Sequence, residues 1–173
     1  KIKNMRYIKQ TYATPVITDE ELKKLSKRRF EQAGSQKIIV AGMSKRIEAV
    51  YDKGEFLAAK STSIILHNDT NFLKFVLGVL NSKLMSFYVS TVFHSNKMAG
   101  GYINISPGLL RNIPSAEYDE KIAALVEQII EMKQSDTIAD TQKYQHQIDK
   151  LVYKLYRLNK KEISEIEKYY ETK

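Results

Sequence analysis

The residues best suited to chemistry in this sequence lie in a polar segment, HSNKMAGG, at residues 94–101. His94, Ser95, Asn96 and Lys97 offer hydrogen-bond donors, and the two glycines that follow allow the backbone to approach a partner closely. A metal-binding or general-base role for His94 is disfavoured, because the other histidines lie far away in the sequence. We therefore predict that this segment contacts a partner.

A second group of candidate contact residues lies beside or between predicted strands. Cationic side chains bind phosphates, amides and hydroxyls also read base edges, and loops from a small sheet can enter a DNA groove. Tyr102 follows Gly101 and is placed to stack on a base, although tyrosines more often line the edge of a core. Each residue taken singly also fits an ordinary solvated surface, so the prediction depends on the whole set. The set comprises Lys45, Arg46, Lys60, Ser61, Thr62, His94, Ser95, Asn96, Lys97, Tyr102 and Arg111.

The sequence lacks the patterns of common catalytic sites. It contains no cysteine, which excludes disulfides, thiolate nucleophiles and cysteine-ligated metals, and which fits a cytoplasmic protein. It has no glycine-rich phosphate loop, no HExxH motif and no serine elbow. His67 is expected at a strand end and His146 on a helix surface, each without a ligand role. We therefore expect this chain to supply no catalytic residue, metal site or cofactor site.

Positive charge is concentrated in the first two-thirds of the chain. Residues 1–116 contain 18 lysines and arginines against 8 acids, whereas residues 117–173 contain 10 against 12. This distribution predicts a polyanionic partner for the first part only. The alternative is a basic surface that simply keeps the protein solvated. The basic run at residues 23–29, on a predicted helix, leaves the same two interpretations open.

A small sheet is predicted to hold the candidate loops. The β-branched run at residues 37–43 is typical of a buried strand, and residues 47–52 alternate in polarity as a second strand would. Residues 56–66 supply one or two more strands, and residues 101–105 predict a return strand after the polar segment.

An apolar helix at residues 71–93 forms the predicted centre of the core. Its apolar side chains cover more than one face, so we expect it to pack between a sheet and another layer. Thr70 or Asn71 is the expected N-cap. Lys74 and Lys83 interrupt the apolar run, which argues against a membrane span.

Capping patterns predict helices at both ends of the chain. Thr18 and Glu21 have the spacing of a capping box, which predicts a helix continuing to about Gln32. Asn159 and Glu162 have the same spacing and predict a final short helix.

Between these ends, two apolar stripes predict a helical hairpin. The stripes at residues 122–130 and 144–155 recur at helical spacing, and the polar residues between them predict a turn. The expected fold class is therefore α+β. A body with a small mixed β-sheet and packed helices occupies residues 1–116, and an antiparallel helical hairpin with a terminal helix occupies residues 117–173.

Four longer segments, taken in order, resemble a known family. They are QKIIVAGMSKRIEAVYD, FVLGVLNSKLMSFYVSTVF, GGYINISPGLLRNIPSAEYDEKIAALVEQII and HQIDKLVYKLYRLNKKEISEIE, which lie between residues 36 and 167. The sequence resembles the TaqI-like C-terminal specificity domain, the target-recognition region of adenine-N6 DNA methyltransferases and fused restriction-modification enzymes. The shared pieces are mainly structural, so the resemblance transfers no base-reading residue.

The resemblance implies a non-catalytic part of a larger enzyme. It implies that double-stranded DNA is the partner and that a covalently attached methyltransferase domain binds S-adenosylmethionine outside this chain. Because the sequence opens in mid-pattern without methionine, we expect a piece cut from a larger protein. The resemblance implies that this parent is a DNA methyltransferase or a type II restriction-modification enzyme. The alternative function is a helical protein-interaction module with incidental positive charge. Clustering of Lys45, Lys60, Lys97 and Arg111 on one concave surface would favour DNA, whereas scattered charges with an exposed apolar stripe on the hairpin would favour protein.

Overall fold

The computed structural model describes Tyr7 and residues 18–96 and 98–171. The described chain combines a small antiparallel sheet, a two-stranded ribbon and α-helices, so the predicted α+β class is confirmed. The strands are β1 (Lys37–Ala41), β2 (Met43–Ser44), β3 (Ala49–Asp52), β4 (Thr62–Leu66) and β5 (Ile103–Asn104). The helices are α1 (Asp19–Lys23), α2 (Lys27–Gly34), α3 (Thr70–Asn81), α4 (Lys83–Val92), α5 (Pro107–Arg111), α6 (Glu120–Ser135), α7 (Gln142–Leu155) and α8 (Lys160–Glu171).

The main sheet has the order β3-β1-β4, with both pairings antiparallel. Ile38 and Val40 in the central strand are fully buried because they lie on the face that α3 covers. Tyr7 adds a parallel bridge to Val50 at the outer edge of β3. The predicted strands at 37–43 and 56–66 are shorter than expected.

A sharp break at Gly42 separates β1 from the ribbon strand β2. The Gly42 amide donates to the carbonyl oxygen of Ser61 at 2.9 Å, and a Cβ atom at Gly42 would lie only 2.5 Å from that oxygen. Only glycine allows this close approach without a shift of the backbone. The chain therefore leaves the main sheet here, and β2 pairs with β5 instead.

The central apolar helix is confirmed, but it consists of two helices, α3 and α4, that bend by 58°. Ser82 interrupts the helix with an extended backbone, and its hydroxyl accepts a hydrogen bond from the Met85 amide at 3.3 Å. The N-cap of α3 is Asp69, not Thr70 or Asn71, because its carboxylate accepts the amides at the helix start. As expected, α3 packs between the main sheet and another layer, which is formed by α6.

Both predicted capping boxes form. The Thr18 hydroxyl accepts from the Glu21 amide, although α1 stops at Lys23 and α2 starts separately at Lys27, so the expected single helix is divided. Asn159 and Glu162 exchange hydrogen bonds at the start of α8.

The two predicted C-terminal stripes lie on α6 and α7, which pack on each other and on α3. Ile122, Ile129 and Ile148 are fully buried in a core that is continuous with that of the sheet. The predicted boundary at residue 116 remains a prediction. Over the described residues, no single helix is long and apolar enough to cross a membrane; only the bent pair α3 and α4 satisfies the length and composition together.

Candidate nucleic-acid interface

The β2–β5 ribbon has one buried face and one exposed face. Ser44 pairs with Ile103, and both side chains are buried. Met43 pairs with Asn104, and both side chains are exposed, Met43 at 56%. Because side chains alternate across a strand, the ribbon presents every second residue to solvent.

Lys45 and Tyr102 continue the exposed face just beyond the paired residues. The Lys45 Nζ lies 5.7 Å from the centroid of the Tyr102 ring, within the range of a cation–π contact. Both side chains are exposed, and Tyr102 keeps 40% of its surface accessible. The fold thus brings together two candidates that lie far apart in sequence.

Two short 3₁₀ turns, His94–Asn96 and Ala99–Gly101, connect α4 to the ribbon. His94 and Ser95 are exposed in the first turn, which also contains Asn96. The predicted contact residue Lys97 lies outside the described residues. The predicted loop is therefore largely two tight turns.

The second turn is tied to the ribbon through the backbone. The Met98 amide donates to the carbonyl oxygen of Tyr102 at 2.7 Å, and the Gly101 amide donates to the carbonyl oxygen of Met98 at 3.1 Å. Gly100 and Gly101 adopt φ angles of 78° and 76°, which side-chain-bearing residues rarely adopt. We predicted that these glycines let the backbone approach a partner. In the structure they shape the turn that leads directly to Tyr102.

Two large apolar side chains are exposed in the stretch of chain that leads from α4 to the ribbon. Val92 at the end of α4 is 57% exposed and Met98 is 51% exposed, and both belong to the same stretch of chain as Tyr102. Sequence reasoning missed Met43 and Asn104 as members of this surface. The signal was weak, because strands of two residues give too little alternation to detect.

Arg46 points away from this exposed face. Its Nε lies 3.7 Å from a carboxylate oxygen of Glu48, and its side chain lines a cavity of about 190 Å³. Lys83 and His146 line the same cavity, which lies where α4 and α7 meet. Lys45 therefore lies on the exposed ribbon face, whereas its neighbour Arg46 lines this cavity.

Lys60 and Thr62 line a different cavity of about 410 Å³, together with Arg28 and Arg29 of α2. Ser61, between them, contributes the backbone carbonyl that contacts Gly42. Arg111 is exposed at the last residue of α5. The described candidates thus do not share one surface: they lie on the exposed ribbon face, in the first 3₁₀ turn, in these two cavities, at the Gly42 contact and on α5.

A polar network at the start of α4 holds this helix against α7 and α8. The Lys83 ammonium forms an ion pair with Glu167, and the Tyr153 hydroxyl donates to the other carboxylate oxygen of Glu167 at 2.8 Å. Burial and this hydrogen bond raise the pKa of Tyr153 well above its usual value, so it stays protonated. Burial pushes the pKa of Glu167 upward, but the hydrogen bonds from Lys83 and Tyr153 outweigh it and leave that pKa lowered.

His67 follows β4 and contacts Phe72 in a tilted arrangement, with 4.4 Å between ring centroids, whereas His146 is exposed on α7. Both placements confirm the expected positions. In the part of the chain that the structure describes, no group of three or more histidine or acidic side chains could hold a metal ion.

The class of protein follows from comparison with family models. The model of the TaqI-like C-terminal specificity domain matches residues 3–115, which include the sheet, α3, α4, both turns and the ribbon. The chain therefore belongs to the TaqI-like C-terminal specificity domain family, whose members are specificity domains of restriction-modification enzymes. The match ends before α6, so the resembling segments of the C-terminal helices lie outside it. A search of curated proteins found no match.

Proposed function

We propose that this chain reads a DNA sequence for a restriction-modification enzyme, with the exposed ribbon face as the reading surface. The contact between Lys45 and Tyr102 is the observation that supports this assignment most directly. It places a cation and an aromatic ring side by side on a solvent-facing ribbon in a specificity domain. Cations bind phosphates and guanine edges, and aromatic rings stack on bases.

A two-stranded ribbon such as β2–β5 is an element that can enter the major groove of DNA. That groove is about 12 Å wide and admits a two-stranded β-ribbon. Asn104 would offer an amide, which pairs with adenine edges, and Met43 would offer an apolar contact to a thymine methyl group. The turn at His94–Asn96 would flank the ribbon with further donors.

In this proposal the chain is the non-catalytic part of a larger enzyme. A covalently attached methyltransferase domain would bind S-adenosylmethionine and modify an adenine, and the specificity domain would hold the duplex in register. The parent would be a DNA methyltransferase or a fused type II enzyme. It would act in the cytoplasm, where the DNA of a bacterial or archaeal cell lies.

The alternative, a helical protein-interaction module, has less support. Large apolar side chains that are exposed in the described ranges, Tyr7, 18–96 and 98–171, include none within α6, α7 or α8. The apolar stripes of the hairpin face α3 and each other. The hairpin therefore presents no apolar stripe to a partner over those residues.

The direct test is selection of the protein's preferred duplex from a randomised pool, followed by binding to the selected and scrambled duplexes. We expect Asn104→Ala to relax the preference at one position, and Lys45→Gln to weaken binding to both duplexes and to lower the salt slope by about one. Tyr102→Ala should weaken binding to both duplexes as well. Lys150→Gln, on the exposed side of α7, is the matched control and should change neither property. Failure to enrich any sequence would contradict the proposed function.

A further inference from the structure

A basic groove lies on the side of the main sheet opposite α3. The groove has a volume of about 410 Å³ and is bounded by α2 and by the segment before β4. Thr62 and Ile64 form part of its wall, and they alternate with Ser63 and Ile65 along β4. The groove is therefore built on the face of the sheet that the central helix does not cover.

The polar lining of this groove is suited to an anion. Arg28 and Arg29 on one wall and Lys60 on the other are all exposed, and among the residues that the structure describes no acidic side chain lines the cavity. Lys37 also lies there, but its ammonium is buried and paired with Asp52, so its charge is neutralised within the protein. The three exposed cations remain available to a ligand that lies in the groove.

The groove borders the reading surface through a direct backbone contact. The Ser61 carbonyl accepts the Gly42 amide, and β2 begins at the next residue, Met43. Lys60 is thus the residue just before this backbone contact, and the ribbon starts just after it. A duplex that holds the ribbon in its major groove would have a phosphate backbone on this side.

We propose that Arg28, Arg29 and Lys60 form a second DNA contact site that binds backbone phosphates beside the bases read by the ribbon. This inference depends on the proposed function, because it assumes that the same duplex lies on the ribbon. The site fixes the position of the duplex without reading its sequence, since phosphates are the same at every base pair. It also explains part of the basic excess in residues 1–116.

The test compares the protein with a triple variant, Arg28→Gln, Arg29→Gln and Lys60→Gln. We expect the variant to lose affinity by the same factor on selected and scrambled duplexes, and its salt slope to fall by about one for each phosphate contact removed. The matched control is the triple variant Lys143→Gln, Lys150→Gln and Lys154→Gln, which removes the same charge from the exposed side of α7. Thermal melting of both variants checks that each remains folded.

Duplexes with single neutral methylphosphonate linkages locate the contact. Linkages beside the recognised bases should weaken binding by the protein but not by the groove variant, because the variant has already lost that contact. If the groove variant keeps its affinity and salt slope while Asn104→Ala still relaxes preference, the groove site is wrong and the ribbon assignment stands. Loss of sequence preference in the groove variant would also overturn the phosphate role. If the unaltered protein enriches no duplex, both proposals fail.

Discussion

The side chain of Asn81 forms two hydrogen bonds with the backbone of Ala49. The Ala49 amide donates to Oδ1 at 3.1 Å, and Nδ2 donates to the Ala49 carbonyl oxygen at 3.0 Å. Asn81 is fully buried at the end of α3, and Ala49 begins β3. The amide side chain of Asn81 thus bonds to the backbone of β3 as a neighbouring strand would, and it links α3 to the edge of the main sheet.

Replacing Asn81 by leucine should destabilise the fold, because the Ala49 amide would remain buried without a partner. The cost of such an unpaired group is about 1–3 kcal/mol. Urea denaturation gives the change in the free energy of unfolding. Asn71→Leu, an exposed position on the same helix, is the control and should change it little. Equal urea midpoints for Asn81→Leu and the unaltered protein would show that the two hydrogen bonds add no net stability.

Gly78→Ala should also destabilise, although alanine favours helices over glycine by about 1 kcal/mol. A Cβ at Gly78 would lie 2.6 Å from Cγ2 of Ile122 and 2.9 Å from Cγ2 of Val126, both in the fully buried interface with α6. Overpacking of this kind costs about 1–3 kcal/mol because the stiff branched side chains cannot move aside.

Gly108→Ala provides the matched comparison for that prediction. Its Cβ would meet only the Ser106 hydroxyl oxygen at 3.7 Å, an ordinary contact, so stability should stay the same or rise. Thermal melting of both variants should show a lower melting temperature for Gly78→Ala and an equal or higher one for Gly108→Ala. A rise in melting temperature for Gly78→Ala would mean that α3 and α6 lie farther apart than the structure shows.

Glu167→Gln should lower stability at neutral pH and have less effect in acid. The pKa of Glu167 is lowered in the folded protein, so its ionised form contributes stability above the unfolded value of about 4.3. That contribution is lost as pH falls through the folded pKa. Because 38% of its side chain is exposed, the effect should not exceed about 1 kcal/mol.

Urea denaturation at a series of pH values measures this effect. Glu165→Gln, which removes an exposed carboxylate from the same helix, is the control. At neutral pH, Glu165→Gln should change the free energy of unfolding less than Glu167→Gln does. A constant penalty for Glu167→Gln down to the most acidic pH would exclude the ion pair as its cause.

Lys97→Ala and Asn96→Ala should affect DNA binding in different ways. Loss of a phosphate-binding lysine weakens binding to all sequences and lowers the salt slope by about one, whereas loss of a base-reading amide relaxes preference at one position. We expect the first result for Lys97 and the second for Asn96, measured on selected and scrambled duplexes. If the combined alanine variant of Lys45, Lys60 and Lys97 keeps its affinity and slope on both duplexes, the DNA surface is wrong.

The helices were the most predictable part of this fold, because their signals are local. The boxes at Thr18 and Asn159 and the apolar stripe around Ile129 each lie within a few turns of chain. The break at Ser82 was not predicted, since apolar periodicity continues across it. The Ser82 hydroxyl and the Asp149 carboxylate, which accepts the Lys83 amide at 2.8 Å, cap the new helix. Asp149 comes from distant chain, so periodicity could not reveal it.

The candidate site was predictable as a set of residue types but not as a surface. Lys45 and Tyr102 were both predicted, yet only the β2–β5 pairing brings them into contact. Arg46 has the same chemistry as Lys45, but alternation along the strand turns it toward another cavity. Asn104 lies on the exposed ribbon face because it pairs with Met43, and no local sequence pattern predicts that pairing.

The sequence alone determined the fold class, the basic body and the family resemblance, because composition, periodicity and motifs are properties of the chain itself. Tertiary structure decided which polar residues share a face. The close approach of Gly42 to Ser61, where the chain leaves the main sheet for β2, joins residues that lie far apart in sequence. Contacts between residues distant in sequence depend on packing of the whole core, and that packing is what local patterns do not contain.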